Sequence, residues 1–141
     1  MPHCRDWRSD MAAPSFAATD MPASLKGARI LVVEDEAFIA LDLVMAIEDA
    51  GAVPVGPAAT VAEALELISH DPPDGAILDV NLPDGHVGPV LDALTSIAGV
   101  VVHTGAGLPP DLRVAHPDVP VFAKPTDPDD LLRRIAQDMK R

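Results

Sequence analysis

The chain has 141 residues, a formal net charge of −12 and 48% hydrophobic content, with aromatics at only 3%. That is enough for one globular domain whose interior is filled by Ala, Val, Leu and Ile, and the acidity runs against non-specific binding to nucleic acid or to an anionic membrane, both of which need clustered Lys and Arg. Cys4 is a single cysteine and cannot form an internal disulfide; the five histidines (His3, His70, His86, His103, His116) show no zinc spacing. No apolar run approaches a membrane span and the first residues lack an apolar signal core, so a cytoplasmic chain is expected.

In chain order, residues 1–26 are rich in Ala, Ser, Pro, Asp and Met without periodicity, and they read as a disordered extension in which Trp7 is an incidental aromatic. Residues 27–141 form the domain. ARILVV, 28–33, is a β-branched run suited to a buried strand. EDEAFIALDLVMAIEDAG follows with Phe38, Leu41, Val44, Met45 and Ile47 at helical spacing, and Gly51 closes it. AVPVG is a second strand that Pro54 confines to an edge. TVAEALELISH is a helix with Thr60 as N-cap, Glu63 three residues on, and Val61, Ala64, Leu65 and Ile68 on one face.

GAILD is the third strand, and VGPVLDALTSI a helix that tolerates Pro89 in its first turn. GVVVHT is the fourth strand, GAGLPPDLRVAHPD a loop with at best a short helix, and VPVFAK the fifth strand. Asp127 then caps DPDDLLRRIAQDMKR, with Pro128 at the first helical position. Strands alternate with helices five times. Parallel pairing with right-handed crossovers follows, giving a three-layer doubly wound five-stranded α/β sheet.

Sites in such sheets form at the carboxyl ends of the strands. Here those ends hold Glu34-Asp35-Glu36, Asp79, Thr104-Gly105 and Lys124-Pro125. Carboxylates brought to about 4 Å repel by about 1 kcal/mol in water and about 4 kcal/mol at an effective dielectric near 20, so a cation is expected among them. Hard oxygen ligands suit Mg²⁺, which takes one or two carboxylates plus phosphate oxygens. An Asp beside Mg²⁺ is a nucleophile toward phosphorus, and Lys124 and Thr104 are suited to the charge on the transferred group. Taken singly, each residue has a plainer role: the acidic triplet as a helix cap, Asp79 in a turn with Asn81, Thr104 at a strand end, Lys124 solvated before a proline. Their order at four strand ends favours the joint reading. His103 and His86 flank these ends and read as loop or packing residues.

The segments ILVVEDE (30–36), AILDVNLPDG (76–85), HTGAG (103–107) and FAKPTDPDDLL (122–132) together resemble a response-regulator receiver domain of two-component signalling, over about residues 27–139. The resemblance implies a flavodoxin-like fold and a phosphoryl group accepted from a sensor histidine kinase or a histidine phosphotransfer protein. It implies Asp79 as phosphoacceptor, Asp35 and Glu34 as the Mg²⁺ pair, Asn81 as a carbonyl ligand of the metal, and Thr104 and Lys124 on the phosphoryl oxygens. It also implies a cis Lys124-Pro125 bond. VHTGAG is similar to the Phe-x-Thr-Gly-Tyr motif of a group of alphaproteobacterial receivers, with Val102 and Ala106 in place of both aromatics. Val121 and Thr126 stand where many receivers carry aromatics, so output through a threonine–aromatic pair is not expected. The chain stops soon after the last helix, which leads to the expectation of a stand-alone receiver without an enzymatic output domain, signalling by phosphorylation-dependent binding to an unknown downstream protein. The rival readings are a phosphorylation-independent interaction module on the same fold and, behind it, a small-molecule phosphatase.

Overall fold

The runs RILVV, GAIL and GVVVHT are nearly unbroken in β-branched and small apolar residues because the central strands they form are covered on both faces. The computed structural model of the protein describes residues 21–140. In chain order these form β1 (Arg29–Val33), α1 (Ala37–Asp49), β2 (Val53–Ala58), α2 (Val61–His70), β3 (Gly75–Leu78), β4 (Asn81–Leu82), β5 (Gly85–His86), α3 (Gly88–Ala93), β6 (Gly99–Thr104), α4 (Pro110–Ala115), β7 (Val121–Ala123) and α5 (Pro128–Met139). The main sheet is parallel, in the order β2-β1-β3-β6-β7. This is the flavodoxin-like α/β receiver fold that the sequence led us to expect. β2, with its two prolines, lies at an edge. No helix among the described residues is long and apolar enough to cross a membrane.

Alternation along the strands divides the interior in two. Leu31, Val33, Ala76, Leu78, Val100 and Val102 face α2, α3 and α4, which contribute Ala64, Leu91 and Leu112. Ile30, Val32, Ile77 and Val101 face α1 and α5, which contribute Leu43, Ile47, Leu131, Leu132 and Ile135. Gly75 and Gly99 sit side by side where α5 crosses the strand starts. A Cβ on Gly75 would meet Ile135 Cγ2 at 2.8 Å, and one on Gly99 would meet the same methyl at 2.9 Å. The pair therefore sets how closely α5 approaches.

Three expectations are corrected. Most of the stripe predicted to bury α1 points outward: Phe38, Leu41 and Met45 are 87%, 54% and 52% exposed and Val44 is half-buried, while Ile47 alone of the five is buried, on a face it shares with Ala40 and Leu43. This helix is apolar on much of its circumference, so the 3.6-residue period fits two faces. Small Ala40 lies on the face turned to the sheet, where it allows close approach.

The extension was expected to be disordered through residue 26, yet Ala23–Leu25 form a 3-10 turn and Leu25 is 0% exposed in the α1/α5 core. Gly27 N donates to Gly51 O at 2.8 Å and fastens this segment to the end of α1. The remainder of the expected extension, residues 1–20 with Cys4 and Trp7, lies outside the described residues. Leu25→Ala is expected to cost about 2–5 kcal/mol, as other buried leucine truncations do; urea denaturation measures it, and a loss near zero would return Leu25 to the tail.

Asn81, Pro83 and Gly85 lead one to expect a loop after Asp79, yet the segment is not a plain one. Asn81–Leu82 and Gly85–His86 pair antiparallel as a small hairpin. Pro89 stands in the first turn of α3, which is only six residues long. The Lys124-Pro125 bond is cis, and so is Gly56-Pro57.

Candidate functional site

Register brings the carboxyl ends of β1, β3, β6 and β7 to one rim. Asp79 follows β3 directly, and its own amide donates to Val33 O at 2.8 Å, which extends the β1–β3 ladder by one residue. Its side chain is nearly buried, and its Oδ1 accepts from Val80 N at 2.8 Å. Glu34 follows β1 and is buried too. Its Oε2 accepts from Glu36 N at 3.1 Å. Glu36 is the N-cap residue of α1, but its side chain makes no capping hydrogen bond. The plain reading of the acidic triplet as a helix cap is therefore not what these side chains do.

Lys124 reaches from the end of β7 into this pair. Its Nζ lies 2.8 Å from Glu34 Oε1 and 3.2 Å from Asp79 Oδ2. Burial alone would lower the ammonium pKa; the hydrogen bond to Glu34 and the Asp79 charge outweigh it and raise it. Burial raises the Glu34 pKa, and the Asp79 charge adds to the rise, against the hydrogen bonds from Lys124 and Glu36. One carboxylate oxygen each from Glu34, Asp35 and Asp79 lie within 4.8 Å of one another, with Asp35 on the exposed side. Three hard oxygen donors open to solvent on one flank fit Mg²⁺, which keeps several of its waters.

Of the residues singled out in the sequence, the structure thus brings Glu34, Asp35, Asp79 and Lys124 into one cluster. Thr104 ends β6 beside Lys124, whose backbone amide donates to Thr104 O at 2.9 Å. The Thr104 hydroxyl is buried; it accepts from Ala106 N at 3.1 Å and lies 3.5 Å from Gly107 O, so it is engaged with its own loop. Asn81 is exposed, two residues past Asp79, in β4 of the hairpin. Val121, where many receivers carry an aromatic, is 42% exposed.

Two further residues contribute: His103, which the sequence marked only as a loop or packing residue, and Asp84, which it did not single out. Pro125 has no amide to continue the β6–β7 ladder, and the next amide, Thr126 N, donates to His103 Nε2 at 3.3 Å. His103 is buried, on the same face of β6 as Val101 by strand alternation. With Nε2 accepting, the neutral imidazole carries its proton on Nδ1, which has no partner among the described residues. Burial, and then the Lys124 charge, lower the His103 pKa. A histidine whose folded pKa lies below its unfolded value stabilises the fold fully above the unfolded pKa, near about 6.5, and loses that contribution as pH falls from there toward the folded pKa. Thermal unfolding should therefore shift downward on acidification through that window, and His103→Gln should flatten the response. An unchanged slope in the variant would remove His103 as its source. His86 keeps a local role, its Nδ1 accepting from Gly88 N at 3.1 Å. The other contributor is Asp84, at the tip of the hairpin, which accepts from Val61 N at 2.8 Å and Ala62 N at 3.0 Å. Only a partner distant in sequence gives either residue its task.

No family model matches the chain. Over 72 residues it is 40% identical to the transcriptional regulatory protein PdtaR of Mycobacterium tuberculosis, a match that takes in 50% of this chain and 33% of that protein. Among solved structures it is similar to the response regulator PhyR of Brucella abortus, with a TM-score of 0.67 and 26% identity, over 96% of this chain and 56% of PhyR. It is similar also to the signal receiver domain of a protein described as a Luxo repressor from Vibrio parahaemolyticus, with a TM-score of 0.69 and 27% identity, over 81% of this chain and 91% of that domain. The chain therefore spans a third of the length of the curated relative and little more than half of PhyR. Its structural relatives are response-regulator receiver domains, and it has their fold; they support a two-component response regulator.

Proposed function

We propose that this receiver-fold chain accepts a phosphoryl group on Asp79 from a phosphohistidine donor in a Mg²⁺-dependent reaction, and that the charge on Asp79 then governs binding to a downstream protein. The observation that carries the reading is the Lys124 ammonium between Glu34 and Asp79, with Asp35 completing an acidic cluster on the open side. A half-buried lysine held by two largely buried carboxylates beside a third is a costly arrangement for stability alone. It is what a strand end needs if it is to receive a dianionic group.

The residues have separate tasks in this reading. One Asp79 carboxylate oxygen attacks phosphorus; the new O–P bond forms as the donor N–P bond breaks, and the imidazole leaves with the bonding electron pair. Val80 N holds Oδ1 and fixes the carboxylate plane. Asp35 and Asp79, with Glu34 close by and the Asn81 carbonyl, would hold Mg²⁺, which supplies positive charge to the phosphoryl oxygens when bound. Lys124 supplies a second positive charge, exchanging carboxylate partners for a phosphoryl oxygen. Thr104 turns its hydroxyl from its own loop to another phosphoryl oxygen. The Gly105–Leu108 segment follows, which is how the charge on Asp79 reaches the surface.

The donor is a sensor histidine kinase or a histidine phosphotransfer protein, and the recipient of the signal is a protein rather than nucleic acid, consistent with the net charge of −12. Incubation with acetyl phosphate and Mg²⁺ followed by intact mass tests the reading. One phosphate adduct, lost when EDTA is added beforehand, is the expected result. The absence of an adduct with both acetyl phosphate and a phosphorylated histidine donor would favour a phosphorylation-independent interaction module.

A further inference from the structure

The Asn81–His86 hairpin directly follows Asp79, and its own ladder is too small to hold it. It pairs two residues with two, Asn81 with His86 and Leu82 with Gly85, and an isolated hairpin is marginal in water even when longer. At its base Val87 N donates to Val80 O at 2.9 Å. At its tip, Asp84 occupies the two-residue turn with Pro83, and both its carboxylate oxygens are engaged: Oδ1 accepts from Val61 N at 2.8 Å and Oδ2 from Ala62 N at 3.0 Å. These are the first two amides of the ten-residue α2. The amide of Glu63 goes to Thr60 Oγ1 at 3.1 Å. Between them the two side chains satisfy all three amides that precede the first intrahelical bond, Ala64 N to Thr60 O. The two backbone hydrogen bonds lower the Asp84 pKa, and its charge sits where the helix dipole favours an anion.

The division of labour is informative. Thr60 is a local cap, whereas Asp84 comes from 22 and 23 residues away. Helix capping by itself requires only a neighbouring residue. A two-pronged bond across that separation ties the hairpin to a rigid element as well. We infer that Asp84 is a positioning residue: it clamps the hairpin tip to the N-terminus of α2 and so holds Asn81 in place for Mg²⁺. The inference rests on the proposed function, because it assigns Asn81 to the metal. Asp84 touches neither phosphate nor metal; it acts through the hairpin.

Thr60→Ala is the matched control, since it removes a cap from the same helix without touching the hairpin. Mg²⁺ affinity is measured by calorimetry on the full chain for wild type, Asp84→Ala, Asp84→Asn and Thr60→Ala, with amide hydrogen exchange followed across Asn81–His86. The expected result is a loss of about tenfold in Mg²⁺ affinity for Asp84→Ala, as for other groups that orient a metal ligand, with faster exchange in the hairpin. Asp84→Asn, which keeps one acceptor oxygen, should fall between, and Thr60→Ala should match wild type in both. If Asp84→Ala does not fold, Asp84→Asn and Thr60→Ala carry the comparison. An unchanged affinity in both Asp84 variants overturns the inference, as does an equal loss in Thr60→Ala, which would trace the effect to α2 stability. Wild type that binds no Mg²⁺ and takes no phosphate fails at the proposed function itself and takes this inference with it. Wild type that binds Mg²⁺ and is phosphorylated while Asp84→Ala behaves identically leaves that function standing and removes only the clamp.

Discussion

Asp79→Asn takes up no phosphate from acetyl phosphate or from a phosphohistidine donor under conditions where the wild-type chain gives a single adduct; this is the expected result of the most direct substitution at the rim. The amide is close in shape to the carboxylate, and its oxygen can keep the hydrogen bond that Oδ1 accepts from Val80 N. What disappears is the anionic nucleophile. Loss of a nucleophile costs at least about 10³-fold in rate, which removes any adduct from an intact-mass spectrum. Stability should move the other way. The Asp79 charge helps to raise the Glu34 pKa, so neutralising position 79 relieves a repulsion, while Lys124 keeps its 2.8 Å bond to Glu34 Oε1. Asp79→Asn should thus melt no lower than wild type. An adduct at wild-type yield would move the phosphoacceptor to another residue; a large drop in melting temperature would make Asp79 a structural anchor.

Lys124→Met separates two consequences that a mutation usually mixes. The apolar stem is retained and the ammonium is lost. Removal of a positively charged partner for a developing phosphoryl charge is expected to slow labelling by about 10²–10³-fold, in the range measured for the loss of other transition-state donors. Mg²⁺ affinity should rise, because the carboxylates of Glu34, Asp35 and Asp79 no longer share their charge with Lys124. Slower phosphorylation together with tighter metal binding is not what a merely damaged fold would give.

The same variant carries a pH signature. Breaking a buried pair by removing one partner costs about 3–5 kcal/mol when the remaining charge is left uncompensated, and Glu34 is the group left behind. Its folded pKa is already raised by burial and rises further once Lys124 is gone. A carboxyl with a raised folded pKa contributes stability that is present below its unfolded pKa, near about 4.3, and is lost as pH rises through the folded value. Part of the deficit in Lys124→Met should therefore be recovered as the solution is acidified through that window, measured by thermal unfolding without Mg²⁺. A labelling rate equal to wild type would remove Lys124 from the reaction. A deficit independent of pH would mean that Glu34 is not the group it neutralises.

The amino-acid sequence alone determined the features that depend on neighbours along the chain. Strand runs such as RILVV and GVVVHT, the Thr60 bond to Glu63 N, and Asp127 capping the proline-led α5 are local matters of burial pattern and hydrogen-bond supply. The strict alternation of these elements required parallel pairing, and so it also foretold that Glu34, Asp35, Asp79 and Lys124 would meet at one rim. Only the tertiary structure decided what depends on partners distant in the chain. α1 carries two apolar faces, and the buried one is that which sets Ala40 against the sheet; Leu25 joins the core because Gly27 and Gly51 bring its segment back over α1. His103 and Asp84 read as unremarkable until their partners, Thr126 N and the first amides of α2, stand 23 and more than 20 residues away in sequence but within hydrogen-bond reach. The physical reason is one of range: periodicity and capping are satisfied within a few residues, whereas a buried polar side chain takes its meaning from whichever donor the fold delivers to it.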